Sequence, residues 1–225
     1  MNKTTTILAT LAIGAVSAIA GTTPAPAPAP SGKGVATTPV VDPCAGPISY
    51  NNVELLYLHS DFDGPVGDLD GVSLRLEYSP ASNFYISASG DYSSGSNTDL
   101  WNVRLGLGGY IPLTENIHLV GEVGGAYFDG QTDIWVPVYV GDALIGDRRD
   151  TVGDSDWGWY VRPHLRAKWS CFEIHAGAEY QDAYENNWAF YGNVYYQVTP
   201  GWDLTAGVRE GEDSTQWSAG VRYRF

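Results

Sequence analysis

Thr215-Gln216-Trp217-Ser218-Ala219-Gly220-Val221-Arg222-Tyr223-Arg224-Phe225 alternates in residue type without a break from Gln216 onward. Trp217, Ala219, Val221, Tyr223 and Phe225 share one face, and Gln216, Ser218, Gly220, Arg222 and Arg224 the other. A period of two is that of a strand with one apolar and one charged side. The same alternation suits the last strand of a soluble β-sandwich, so the rest of the chain has to decide. A further clue is the apolar Phe225 at the end of the run, where soluble chains usually fray into polar residues.

Working backward, the 225 residues suffice for one barrel- or sandwich-sized domain. Residues 1–20 carry Lys3, an apolar run from Ile7 and Ala18-Ile19-Ala20 before Gly21, the layout of a secretory signal. That run is too short and too rich in Ala and Gly for a membrane-spanning helix. No Cys follows it, which argues against a lipoprotein anchor. Residues 21–43 contain Thr-Pro-Ala-Pro-Ala-Pro-Ala-Pro and read as an extended tether reaching on the order of 60–70 Å. The tether is either a passive spacer or a contact to the cell envelope.

Residues 44–225 form the third region. The chain holds 27 Gly, 15 Tyr, 8 Trp and a single Met, a composition of antiparallel strands and tight turns. A net charge of -14 argues against nucleic acid as a partner. Ten alternating segments are predicted, at about 51–59, 71–79, 84–93, 99–111, 117–129, 157–169, 172–182, 188–198, 202–210 and 215–225. Their length of roughly nine to thirteen residues suits tilted membrane strands. Short turns at 79–83, 112–116, 170–171 and 199–201 alternate with longer acidic loops at 60–70, 94–98, 130–156, 183–187 and 211–214. Within the longest, 134–140 and 143–145 read as strand extensions joined by a Gly141-Asp142 turn.

The faces decide between sandwich and membrane barrel. Trp157, Trp159, Val161, Pro163, Leu165, Ala167 and Trp169 oppose Tyr160, Arg162, His164, Arg166 and Lys168. Val72, Leu74, Leu76 and Tyr78 oppose Ser73, Arg75 and Glu77. Eight of the twelve Lys and Arg lie on strands, on the face that also collects small residues such as Gly106, Gly108 and Gly177. Only 53–59 is mixed, with Leu56 and Leu58 on the polar side. Tyr and Trp cap the apolar face near both strand ends, as rings that prefer the lipid headgroup level do. Hydrocarbon outside and charge inside requires closure, because a sheet edge in lipid leaves backbone groups unpaired.

With these features assembled, the chain resembles a small, ten-stranded bacterial outer-membrane β-barrel of the porin-like, opacity-type group over 51–225. Ser218, Gly220, Tyr223 and Phe225 resemble the C-terminal signal read by the barrel-assembly machinery. The resemblance implies an all-β, closed, antiparallel up-and-down transmembrane barrel in outer-membrane lipid, with extracellular loops and both termini periplasmic. It implies no cofactor. Cys44 and Cys171 then share an oxidising compartment, so a disulfide between them is expected, pinning residues 45–50 across the lower mouth; free thiols or a bond to another chain are the alternatives.

Inward-facing Glu54, Arg75, Glu77, Arg104, Glu122, Arg162, Arg166, Lys168, Glu173, His175, Glu179, Arg209, Arg222 and Arg224 are expected to form an ion-pair network, with Asp91 on the same face. A two-residue turn at 170–171 places Lys168 opposite Glu173, Arg166 opposite His175 and Arg162 opposite Glu179. Such a network either fills the interior or lines a narrow conducting path. His118 with Glu122, and His175 with Glu179, lie about 13 Å apart along a strand and read as lining, not chelates. Asp61, Asp63, Asp68 and Asp70 are candidate oxygen ligands for Ca²⁺ or Mg²⁺, without the spacing of an EF-hand. Asp61, Asp63 and His59 resemble part of the omptin protease site, but no second Asp-x-His follows, and the expectation is a non-enzymatic envelope or surface-interaction protein. Its extracellular ligand is unspecified, and a narrow channel for ions or small solutes is the alternative.

Overall fold

The computed structural model describes residues 44, 46–62, 67–95, 97–140, 143–183 and 185–225, without the side chains of 134–140, 143–149, 183 and 185–187. The secretory signal, the Pro-rich tether, Asp63 and the Gly141-Asp142 turn lie outside the described residues.

Ten strands follow one another: β1 (Asn52–Phe62), β2 (Gly67–Ala81), β3 (Phe84–Ser94), β4 (Thr98–Thr114), β5 (Ile117–Val140), β6 (Ala143–Trp169), β7 (Phe172–Ala183), β8 (Glu185–Thr199), β9 (Trp202–Glu210) and β10 (Ser214–Arg224). Each pairs antiparallel with its neighbours in sequence, and β1 closes on β10 from Asn52↔Arg224 to Phe62↔Ser214. Closure extends to the terminal residue, where the Phe225 N–H donates to the Asn51 carbonyl at 3.1 Å.

The turn end of the barrel is tight. Two residues separate β2 from β3, β4 from β5, β6 from β7 and β8 from β9. Asn83, Ser170 and Gly201 adopt positive φ there (69°, 51° and 86°), the backbone sign that two-residue hairpins demand. The ladder slips near Pro80 and Pro112, whose missing N–H groups cannot continue it.

At the opposite end the strands overrun the expected limits. Over 130–140 and 143–156 the ladder carries on, with Thr132 paired with Val152 and Val140 with Ala143 and one register shift between Val138 and Tyr139. Pairing of β4 with β5 stops at Thr98↔Thr132, and of β6 with β7 at Tyr160↔Gln181. Above those levels β5 and β6 continue as a two-stranded ribbon. From Thr132 to Val140 it adds about 26 Å at the strand rise of about 3.3 Å per residue.

Burial is inside out. Leu105 and Trp157 are 64% and 76% exposed, whereas Arg166 and Arg222 are 1% and 2% exposed. Leu56, Leu58 and Leu69 depart from this pattern, buried within the lumen.

Candidate functional site: the barrel lumen

Strand parity points one side chain in two into the lumen, and closure brings together groups far apart in sequence. Glu179 on β7 is a hub for three arginines. Arg104 Nη1 donates to both of its oxygens at 3.0 and 3.1 Å. Arg162 donates through Nε at 2.7 Å and also through Nη2, and Arg209 Nη2 at 3.2 Å. Arg104 also reaches Asp91 at 2.6 Å. Each charge is thereby met by a partner and by hydrogen bonds, the condition under which ions tolerate burial.

Three further layers lie nearer the turn end. Glu122 accepts from the hydroxyls of Tyr85 (2.9 Å), Ser87 (2.9 Å) and Tyr160 (2.6 Å), with Arg162 at 3.7 Å. Glu77 takes a two-pronged contact from Arg166 at 2.8 and 2.5 Å, and the Asn52 amide at 2.9 Å. Glu173 binds Arg222 at 3.1 and 2.9 Å and His175 at 2.6 Å; Asp203 accepts from Arg222 at 2.7 Å and Arg224 at 2.8 Å. Glycines make room for the rings between these layers: a Cβ on Gly108 would stand 2.0 Å from the Tyr85 ring, and one on Gly106 2.2 Å from the Tyr160 hydroxyl.

The geometry departs from neighbour-to-neighbour pairing. Lys168 stands opposite Glu173 and Arg166 opposite His175 in the ladder. Yet Glu173 is taken by Arg222, and Arg166 crosses the lumen to Glu77. Lys168 Nζ has no hydrogen-bond partner, and neither Glu54 nor Arg75 forms an ion pair among the described residues. Asp203, not anticipated as part of the network, enters it through parity alone, between outward Trp202 and Leu204.

The turn-end mouth is occupied by the segment before β1, where the expected disulfide would hold it. Cys44 is disulfide-bonded to Cys171, with Cα atoms 4.8 Å apart. The chain then runs upward, burying Ile48 and Tyr50. The Tyr50 ring stacks on Tyr110 (4.1 Å) and Tyr85 (5.1 Å), lies 4.4 Å from the Arg166 guanidinium, and its hydroxyl meets His118 Nδ1 at 3.0 Å. His118 is therefore a seat for Tyr50, and His175 a partner of Glu173. Between the layers two cavities of about 40 and 30 Å³ remain, each with room for a few waters.

On the outer wall, rings pair across strands at both ends. Tyr92–Trp101 (4.7 Å), Tyr127–Trp157 (4.8 Å) and Tyr180–Trp188 (5.2 Å) lie near the loops, and Phe172–Tyr196 (4.9 Å) and Trp202–Tyr223 (4.9 Å) near the turns. A closed barrel with charge inside, a leucine-rich exterior and two aromatic girdles is built for hydrocarbon surroundings. The chain folds as a closed, ten-stranded β-barrel of the membrane-spanning type.

Its Ser218 and Gly220 face inward, whereas Tyr223 and Phe225 face out. Just above the loop-side girdle, Asp61 pairs opposite Asp68, and Asp70 accepts from Tyr57 at 2.5 Å and meets His59 Nδ1 at 2.9 Å. Among the described residues no three His, Cys, Asp or Glu side chains converge as a metal site.

No protein-family model matches the chain, and no curated protein is similar to it. Solved structures similar to it include the KdgM porin in complex with disordered oligogalacturonate, 16% identical over 76% of this chain and 99% of that one, with a TM-score of 0.40. The attachment invasion locus protein Ail of Yersinia pestis, in complex with the heparin analogue sucrose octasulfate, is 15% identical over 77% of this chain and 95% of that one, with a TM-score of 0.41. Neisserial surface protein A is 14% identical over 79% and 98%, with a TM-score of 0.39. At TM-scores near 0.4 such likenesses carry no argument about this barrel, whose reading rests on its own faces and closure.

Proposed function

We propose that this protein is a non-enzymatic envelope barrel, an anchor that presents the β5–β6 ribbon and acidic loops at the cell surface. The observation that carries the reading is the filled lumen: stacked carboxylate–guanidinium layers above a mouth occupied by Ile48 and Tyr50. An interior spent on its own contacts leaves recognition to the loops, where binding residues of rigid scaffolds concentrate. The ribbon is then extracellular, and both termini lie on the periplasmic side with the four short turns. The four histidines are engaged with Asp70, Tyr50, Arg162 with Arg166, and Glu173, and among the described residues none meets a hydroxyl or thiol of Ser, Thr or Cys.

Single-channel recording in planar bilayers tests the anchor reading; the expected result is silence, and sustained conductance overturns it. An epitope inserted in the β5–β6 ribbon should be reached by antibody on intact cells. A narrow channel is the second reading, favoured because the two cavities share Arg75, Arg162, Tyr191 and Asn193 as lining, so that motion of those side chains would join them.

A further inference from the structure

Arg75 on β2 stands apart from every other lumen arginine. Among the described residues its guanidinium makes no ion pair and no side-chain hydrogen bond, and its Nε is buried without a partner. Glu54 is its direct neighbour across the β1–β2 ladder and faces the same lumen, yet the two do not bond. The other nearby carboxylate, Asp91, is taken by Arg104 and by the Ser73 hydroxyl.

The cavity of about 30 Å³ beside Arg75 has a lopsided lining. Arg75, Arg104, Arg162 and Arg209 contribute four guanidinium groups, against the single carboxylate of Glu179. That one carboxylate is shared by three of the four arginines. Arg209 Nε is, like Arg75 Nε, buried and unpartnered. Tyr191 and Ser218 add hydroxyls to the same wall. Asp91 and Glu122 answer Arg104 and Arg162 from outside the cavity, so what the wall lacks is an acceptor for the buried Nε–H groups of Arg75 and Arg209, a shortfall that a small anion between them would relieve.

We propose that this cavity is a binding site for a small inorganic anion of chloride size, held chiefly by Arg75 and Arg209 with the Ser218 and Tyr191 hydroxyls as supplementary donors. The volume admits a monatomic ion with a water or two. The charges that form the wall come from β2, β4, β6, β7 and β9, so the site exists only in the closed barrel.

The test uses the full chain folded in detergent. Thermal unfolding is followed in chloride and in gluconate, an anion too large for the cavity, at equal ionic strength. Chloride should raise the wild-type midpoint progressively with concentration, as a ligand of the native state does. The chloride-specific rise should vanish in Arg75→Gln and persist in Arg75→Lys, which keeps the charge. Equal midpoints of the wild type in the two salts, or an unchanged chloride response in Arg75→Gln, would overturn the proposal. Should Arg75→Gln fail to fold, wild-type crystals soaked in bromide decide: an anomalous peak between Arg75 and Arg209 supports the site, and a well-ordered Arg75 without one sinks it.

Discussion

Cys44 is bonded to Cys171 across 127 positions, joining the segment before β1 to the turn between β6 and β7. The bond closes a loop that includes six of the ten strands, and it fixes the start of the residues that occupy the turn-end mouth. Replacing both cysteines by serine should lower stability by about 2–4 kcal/mol, as loss of a long cross-link does. Urea unfolding of oxidised and double-Ser protein in micelles measures it. Hydrogen exchange at Ile48–Tyr50 should rise while the strand interiors stay protected.

Tyr50 reaches Tyr110, Tyr85, His118 and Arg166 with one ring. Tyr50→Ala should cost about 3–5 kcal/mol, the range for truncating a buried aromatic. Tyr50→Phe removes only the hydroxyl bond to His118, and should cost about 1 kcal/mol. Equal losses in the two variants would show that the ring contacts do not hold the segment.

Glu179 is the carboxylate on which Arg104, Arg162 and Arg209 converge. Glu179→Gln preserves volume and removes the charge, leaving three buried guanidinium groups short of a partner; the cost should be about 3–5 kcal/mol. Glu54→Gln, at a residue without an ion pair, should change stability less. The temperature at which the compact band on a semi-native gel gives way to the unfolded one ranks the two.

Gly108 and Gly121 lie on opposite faces of the same wall. A Cβ on Gly108 meets the Tyr85 ring, whereas one on Gly121 meets nothing within 4 Å. Gly108→Ala should cost about 1–3 kcal/mol by overpacking, and Gly121→Ala nothing comparable. Chemical unfolding of both variants separates them.

Leu105 lies between the loop-side Trp101 and the turn-side Ile111 on the outer face of β4, and is 64% exposed. Arginine there would sit near the centre of the hydrocarbon layer, at a cost of about 2–4 kcal/mol. Unfolding from lipid vesicles measures it. A neutral Leu105→Arg would contradict the lipid-facing assignment.

The ten strands, their lipid and lumen faces and the short turns are legible in the sequence because each is written in local terms: alternation by two, ring positions and turn residues. The ribbon formed by β5 and β6 was legible only in part. Acidic and Gly residues at 146–156 blur the alternation there, while pairing with the opposite strand carries the ladder through them. Lumen membership was likewise readable from parity, and Asp203 could have been found by extending it to β9.

Sequence alone thus determined which residues face lipid and which face one another, since a strand's pleat assigns sides two by two. Partner choice was decided only in three dimensions. Arg166 meets Glu77 and Arg222 meets Glu173 because closing and tilting the sheet brings distant strands across a narrow interior, where reach and burial outweigh ladder neighbours. The ring partners of Tyr50 and the isolation of Arg75 arise the same way, from a shape that no local pattern encodes.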